Sequence, residues 1–244
     1  MPGYAALSAT GRVAAGEMDT IFIPRVRKTL YGLILLHGMG YQYEFVDAAQ
    51  PNSSRIASLI VNAGIPCIAG SFGGDIMGND QQLGYVETAW SVLQAKTGVD
   101  GRKVLLYGES MGGGVAARFA EAYPDMVAAF IGAIPAVDLV DVYTNNRGGL
   151  GATIGTAWGT VYPNPLPSRA DLASDANTAL IANKFPVRLY YSSGDTIVVP
   201  SAVQNFATKV GGTATQFSSG PHGDSILSTL PMDEIITTLL ANGS

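Results

Sequence analysis

The chain has 244 residues, of which only 14 % are charged, against about 25 % in an average soluble protein. Its formal net charge is −5, and its 14 Lys and Arg residues are spread along the sequence. Nucleic-acid binding needs a concentrated basic surface, so we expect no nucleic-acid partner. Two histidines and one cysteine exclude an intramolecular disulfide and are too few for a metal site with several His or Cys ligands.

The first twenty residues lack the basic segment and the following apolar run that mark a secretion signal. The longest apolar stretches, LYGLILL and MVAAFIGAIPAV, are much shorter than the roughly 20 residues that cross a membrane. We therefore expect no membrane span and, by default, a cytoplasmic location. The low charge density would tolerate a dimer interface without requiring one, so the oligomeric state stays open.

Short apolar segments alternate along the chain with longer segments of helical period, an order that indicates βαβ units and a parallel sheet. The predicted strands are 20–24, which we expect to be antiparallel, and 30–36, 66–69, 103–107, 127–134, 187–192 and 213–217. The predicted helices are 53–63, 86–97, 111–123 and 232–240. The sequence therefore predicts one α/β domain over residues 1–244, with a mostly parallel central sheet flanked by helices.

The segment 139–185 interrupts this alternation because it is rich in Gly, Asn and Pro. We expect little regular structure in it before a helix at about 169–183. Long irregular segments within compact domains are usually lids or binding loops, or else linkers. Aromatic Tyr143, Trp158 and Tyr162 favour a lid. The segment is therefore predicted to be a cap or lid inserted in the single domain.

A G-x-S-x-G pattern connects a predicted apolar strand to a predicted helix of small residues, in the sequence KVLLYGESMGGGVAA. Ser110 at such a turn takes a strained conformation, and Gly108 and Gly112 lack the side chains that would clash with the neighbouring strand and helix. The turn presents Ser110 at the C-terminal edge of the sheet and directs the Met111 N–H toward a developing oxyanion. An ordinary tight turn would not explain a serine flanked by glycine on both sides.

A serine hydroxyl is a poor nucleophile until a base takes its proton. The chain offers two histidines, His37 and His222, and each follows a predicted strand, so both are expected at the same sheet edge as Ser110. His222 is the better candidate because the order serine, acid, histidine is the one that this turn architecture uses. The alternative for His222 is a surface-loop histidine without a role in the site.

The third catalytic residue should be a carboxylate that orients the imidazole and stabilises its charged form. Asp195 is the leading candidate because it follows a predicted strand, although it could instead cap the next helix. Asp138 and Asp141 follow the preceding strand and are the alternative acids. Asp224 is close to the candidate histidine in sequence, but we expect it to cap a helix just before Ile226.

With these residues in place, the chain resembles the α/β-hydrolase superfamily over nearly its whole length. The resemblance rests on four segments in the family's order, HGMG at 37–40, GESMGG at 108–113, SSGDTIVVP at 192–200 and GPHGDS at 220–225. It implies the α/β-hydrolase fold and an oxyanion hole formed by the backbone N–H groups of Met39 and Met111. Gly40 is the alternative to Met39, because the family often has HGGG here. His37 would then anchor the loop.

The resemblance also implies a serine hydrolase that cleaves carboxylic esters with Ser110, His222 and Asp195, through an acyl-enzyme intermediate and without a cofactor or metal. The alternatives are a thioesterase or a peptidase or amidase similar to prolyl oligopeptidase, whose catalytic domain the GESMGGG run also resembles. A catalytically silent binding protein of the same fold is the non-enzyme alternative. Such proteins usually lack a triad residue.

The expected substrate is a small-molecule ester with an apolar acyl or aromatic part. This expectation rests on aromatic residues that could line a pocket or could equally belong to the core. They are Tyr41, Tyr43, Phe45, Trp158 and Tyr162. The Gly-rich loop at 70–80 is expected to border the site through Phe72 and Met77, and its lack of Lys and Arg argues against phosphate binding.

Overall fold

The computed structural model describes residues 4–8, 20–40, 45 and 50–244. Two of the aromatic residues considered above as pocket residues, Tyr41 and Tyr43, lie outside the described residues. The described residues form one eight-stranded sheet with a buried apolar cluster on each face. Within them, no helix combines the length and the apolar character that a membrane span requires.

The strands follow the chain in the order β1 (Tyr4–Ser8), β2 (Thr20–Pro24), β3 (Gly32–Leu36), β4 (Cys67–Ala69), β5 (Val104–Glu109), β6 (Val127–Ala133), β7 (Val187–Ser192) and β8 (Thr213–Ser218). Their order across the sheet is β1-β2-β4-β3-β5-β6-β7-β8. Strand β2 pairs antiparallel with both β1 and β4, whereas the strands from β4 to β8 pair in parallel. The predicted mostly parallel sheet and its antiparallel strand at 20–24 are therefore confirmed.

The α-helices are α1 (Pro51–Asn62), α2 (Asp80–Thr97), α3 (Met111–Ala122), α4 (Leu139–Thr144), α5 (Gly151–Ala157), α6 (Asp175–Ile181), α7 (Pro200–Val210), α8 (Asp224–Leu227) and α9 (Met232–Asn242). Helices α2, α3 and α7 contribute to one apolar cluster, and α1, α8 and α9 contribute to the other. The sheet is therefore covered on both faces, which explains why its parallel strands read as continuous apolar runs.

Strand β3 shows how one apolar run serves both layers. Leu33 and Leu35 belong to the cluster with α1 and α9, whereas Ile34 and Leu36 belong to the cluster with α2 and α3. All four side chains are at most 1 % exposed. Successive side chains of a strand point to opposite faces, so every position of this strand must be apolar.

Several elements differ from the sequence-based expectations. Strand β1 and helix α7 were not predicted, and α2 begins at Asp80 rather than at residue 86. The helix begins there because the side chain of Asn79 accepts a hydrogen bond from the Gln82 N–H, which caps the first turn. Because Gln81 and Gln82 are polar, the first turn of α2 does not show the apolar periodicity on which the predicted start at residue 86 rests.

The segment 139–185 has more regular structure than its composition predicts. It contains α4, α5 and α6 and two single 3₁₀ turns, and the helix expected at about 169–183 is reduced to Asp175–Ile181. Side-chain caps explain two of these short helices, since Asp138 and Ser174 accept hydrogen bonds from backbone N–H groups at the starts of α4 and α6. The Trp158 indole N–H donates to the Met77 carbonyl at 3.2 Å and ties the segment to the domain.

The buried carboxyl group of Glu121 lies on α3, away from the sheet edge that carries the candidate site. Glu121 is only 4 % exposed, and neither oxygen of its carboxyl group has a hydrogen-bond partner among the described residues. Burial raises the pKa of this carboxyl to about 8, while Arg118 opposes the rise and Asp171 adds to it. The folded protein therefore holds a proton on Glu121 at neutral pH.

This proton makes stability depend on pH. Above the usual pKa of 4.5 the unfolded chain releases the Glu121 proton and the folded chain keeps it up to about 8. The free energy of unfolding should therefore fall as pH rises across this window, by up to about 1.4 kcal/mol per pH unit from this group. We predict that Glu121→Gln matches the parent chain in urea unfolding near pH 4.5 and is more stable than it at pH 8.

The control variant is Glu234→Gln, whose carboxylate is about half exposed and pairs with Arg188. A surface substitution of this kind should change stability by no more than about 0.5 kcal/mol at either pH. Parallel pH profiles for the parent chain and Glu121→Gln would contradict the buried-proton account.

Candidate active site

Ser110 occupies the sharp turn between β5 and α3. Its backbone has φ 48° and ψ −115°, a left-handed conformation that non-glycine residues rarely adopt. Backbone hydrogen bonds hold it on both sides, because the Ser110 N–H donates to the Ala133 carbonyl at 3.0 Å and the Ser110 carbonyl accepts from Ala136 at 2.8 Å. The turn therefore has the strained geometry that the sequence predicts.

The two glycines that flank Ser110 are required by close backbone approach. A Cβ on Gly108 would lie 2.3 Å from the Gly112 carbonyl oxygen, and a Cβ on Gly112 would lie 2.1 Å from the Leu36 carbonyl oxygen. Side chains cannot be accommodated at such distances from backbone atoms. The helix thus packs directly against its own strand and against the end of β3, as expected from the pattern.

A continuous hydrogen-bonded line joins Ser110, His222 and Asp195. Ser110 Oγ lies 2.7 Å from His222 Nε2, and His222 Nδ1 lies 2.6 Å from Asp195 Oδ2. The Asp195 side chain is 1 % exposed and that of His222 is 13 % exposed. The line begins at the cavity and ends in a nearly dry interior, where a carboxylate can stabilise positive charge on the imidazole.

Asp195 is positioned by the loop that follows β7. Its Oδ1 accepts hydrogen bonds from the N–H groups of Ile197 and Val198 at 2.9 and 2.8 Å, which leaves Oδ2 directed at the imidazole. Helix α7 begins later, with Val199 at its N-cap, so Asp195 does not cap that helix. A Cβ on Gly194 would lie 2.2 Å from the Ser219 carbonyl oxygen, so glycine allows this loop to contact the loop that carries His222.

The other candidate carboxylates have different partners. Asp138 caps α4 through the Asp141 N–H, and Asp141 forms an ion pair with Arg147 at 2.5 Å. The prediction that Asp224 caps its own helix is wrong, because it is the first residue of α8 and Gly223 holds the N-cap position. Its carboxylate instead accepts from the Ser53 N–H at 3.2 Å, in the first turn of α1, where N–H groups lack intrahelical acceptors.

His37 is buried and does not contact Ser110. Its Nδ1 lies 2.7 Å from the Gly38 carbonyl oxygen, and its Nε2 lies 2.7 Å from the Ser71 carbonyl oxygen. The ring links the loop after β3 to the loop after β4, which agrees with an anchoring position.

The loop after β3 brings Met39 to the same cavity as Ser110. The N–H of the next residue, Gly40, donates to the Asp75 carboxylate at 2.9 Å and is therefore already engaged. Met111 is the first residue of α3, so its N–H is one of those that no helical carbonyl accepts. These observations favour Met39 over Gly40 as the residue whose backbone N–H accompanies that of Met111 in the expected oxyanion hole.

A cavity of about 210 Å³ adjoins Ser110 and His222. Its apolar lining residues are Met39, Ile134, Leu150, Ile197 and Leu227. Its other lining residues are Gly38, Ser53, Glu109, Gly148, Gly223 and Asp224. Gly148 and Leu150 belong to the segment 139–185, which therefore forms part of the cavity wall.

The expected aromatic lining is not found among the described residues. Trp158, Phe45 and Phe72 are at most 6 % exposed and belong to the two buried clusters. Tyr162 packs against one of these clusters, and Met77 is part of it. Among the described residues, neither these aromatic side chains nor the 70–80 loop lines the cavity, because their side chains pack into the two apolar clusters instead.

Most of the residues that line the cavity were not predicted from the sequence. Glu109 lies inside the G-x-S-x-G pattern, and its Oε2 accepts a hydrogen bond from Ser53 Oγ at 2.7 Å, so the motif itself could have drawn attention to it. Ile134 is the last residue of the predicted strand 127–134, at the sheet edge that carries Ser110, so its position could also have drawn attention to it. Ser53, Leu150 and Leu227 carry no pattern that distinguishes them from ordinary helix or loop residues. Over the described part of the chain, no group of three or more His, Cys, Asp or Glu side chains is arranged to hold a metal.

Comparison with known proteins gives a clear result at the level of structure. No protein-family model and no curated protein sequence matches the chain. Carboxyl esterase 2 of the fungus Tuber melanosporum superposes with a TM-score of 0.70 at 17 % identity, over 100 % of this chain and 88 % of that one. The fluorophosphonate-binding serine hydrolase F of Staphylococcus aureus superposes with a TM-score of 0.73 at 13 % identity, over 98 % of both chains.

A third similar structure is an esterase of the bacterial hormone-sensitive lipase family, with a TM-score of 0.71 at 16 % identity, over 99 % of this chain and 86 % of that one. Each of these structures covers at least 98 % of the present chain. The parallel sheet, the strained serine turn after β5 and the superposition on these proteins agree. The chain therefore has the α/β-hydrolase fold.

Proposed function

We propose that the protein is a carboxylic-ester hydrolase in which Ser110, His222 and Asp195 form the catalytic triad. The observation that carries the proposal is the hydrogen-bonded line from Ser110 Oγ to His222 Nε2 at 2.7 Å and from His222 Nδ1 to Asp195 Oδ2 at 2.6 Å. The esterases and the serine hydrolase named above have the same fold, which supports the reaction class. The cavity next to Ser110 supplies a place for a small ester.

In the proposed reaction His222 Nε2 takes the Ser110 proton as the oxygen attacks the ester carbonyl carbon. Asp195 accepts a hydrogen bond from the His222 Nδ1–H, so that Nε2 is free to accept the Ser110 proton. Asp195 also stabilises the imidazolium that forms. His222 then gives the proton to the departing alcohol. A water molecule, deprotonated by His222, attacks the acyl-enzyme and releases the acid and Ser110.

The negative charge that develops on the carbonyl oxygen is proposed to be stabilised by the backbone N–H groups of Met39 and Met111. Asp75 supports this assignment because it binds the Gly40 N–H and holds the loop that carries Met39. One donor of this kind typically lowers the barrier by about 2.7–4 kcal/mol. The segment 139–185 is proposed to act as a cap, since Gly148 and Leu150 lie on the cavity wall.

A fluorophosphonate probe tests the nucleophile. We expect the folded protein to be labelled on Ser110 and to hydrolyse p-nitrophenyl acetate, because an activated serine attacks both reagents. Ser110→Ala should lose labelling and hydrolysis, whereas Ser193→Ala, at an exposed serine before the candidate acid, should keep both. Folded protein that is neither labelled nor active would favour a silent binding protein of the same fold.

A second experiment separates Asp195 from the other carboxylates. Asp195→Asn should lower kcat by about 10⁴-fold, because the amide disturbs the imidazole tautomer. Asp138→Asn is the matched control, since the cap of α4 uses one oxygen that asparagine retains. Its kcat for the same ester should stay within a few-fold of the parent value. Full activity in Asp195→Asn would show that another acid serves His222.

A further inference from the structure

Ile134 has an unusual backbone for its residue type. It directly follows β6 and has φ 42°. Among the described residues, six non-glycine residues have positive φ, and Ile134 is the only β-branched one. Branching at Cβ makes this conformation particularly unfavourable, so the surrounding structure must impose it. Of the six residues, only Ser110 and Ile134 line the cavity.

Backbone hydrogen bonds fix Ile134 beside the nucleophile. Its N–H donates to the Tyr190 carbonyl at 2.7 Å, on the neighbouring strand. The residue before it, Ala133, accepts from the Ser110 N–H at 3.0 Å, and Ala136 donates to the Ser110 carbonyl at 2.8 Å. The chain around Ile134 therefore cannot relax its conformation without disturbing the turn at Ser110.

Ile134 belongs both to the cavity wall and to the buried core. It lines the cavity, yet it is only 2 % exposed and belongs to the buried cluster that includes Leu227 and Leu230 of the α8 region. The cavity volume is about 210 Å³. A dry cavity of about 150 Å³ holds one benzene molecule, so this volume suits an apolar group of roughly six carbon atoms.

The lining also limits the charge of that group. Glu109 and Asp224 are on the wall, and the lining residues include no Lys or Arg. A negatively charged acyl group would meet carboxylates and no cation, at a site where solvent screens poorly. Neutral acyl groups avoid this repulsion.

We propose that Ile134 sets the upper limit of the acyl chain, so that the protein hydrolyses esters of short, uncharged acids. The proposal rests on the hydrolase function proposed above. It also explains why a strained isoleucine stands where glycine would adopt the same backbone without strain. The branched side chain closes the end of the cavity.

The test uses p-nitrophenyl esters with acyl chains of two to twelve carbons. The parent protein should lose at least about tenfold in kcat/KM between the four-carbon and eight-carbon esters, the scale on which one or two misfitting methylenes are discriminated. In Ile134→Gly the ratio of eight-carbon to four-carbon kcat/KM should rise at least about tenfold. Ile134→Val should move the ratio in the same direction by less, and it provides the measurement if the glycine variant does not fold.

Met77→Gly is the matched control, because Met77 also has positive φ and is buried but lies outside the cavity. Its ratio should equal that of the parent protein. An unchanged ratio in both Ile134 variants, or a parent protein equally active on long chains, would overturn the role of Ile134 while leaving the hydrolase function intact. If the folded parent protein shows neither fluorophosphonate labelling nor ester hydrolysis, the hydrolase function itself is overturned.

Discussion

The left-handed backbone at Ser110 is the constraint on which the rest of the site depends. A non-glycine residue in this conformation costs about 1–3 kcal/mol and persists only where its surroundings determine it. Here the N–H donates to Ala133 and the carbonyl accepts from Gly113 and Ala136. The same bonds connect the serine turn to the chain after β6, where Ile134 is strained as well. Ser110 and the part of the cavity wall at Ile134 are thus connected by the same backbone hydrogen bonds.

The parallel sheet brings other loops next to this turn. The loops after β3, β5, β6, β7 and β8 all lie at the same edge of the sheet. The loops after β7 and β8 make contact only because Gly194 has no side chain. Ser192 Oγ donates to the Gly220 carbonyl at 2.6 Å, which adds a second link between them. Asp195 and His222 therefore sit on loops that brace each other, which reduces the freedom of the imidazole before substrate arrives.

The sequence predicted the fold and the Ser110, His222 and Asp195 arrangement well, since each depends on local patterns that recur at strand ends. It failed where long-range packing decides. The aromatic residues near the site turned out to be core residues, and Asp224 bonds to α1, which lies far away in sequence. No sequence pattern predicts which helix the carboxylate of a loop residue will contact. Helices α4 and α6 of 139–185 begin at side-chain caps and are too short to show an apolar periodicity.

We propose that Ser110 forms a covalent acyl intermediate with the help of His222. Rapid acid quenching during hydrolysis of a p-nitrophenyl ester, followed by mass spectrometry of the intact and digested protein, tests it most directly. The account predicts a mass gain equal to one acyl group on the peptide that contains Ser110, together with a burst of p-nitrophenol close to one equivalent of protein. Ester hydrolysis with the acyl group on another residue would contradict it.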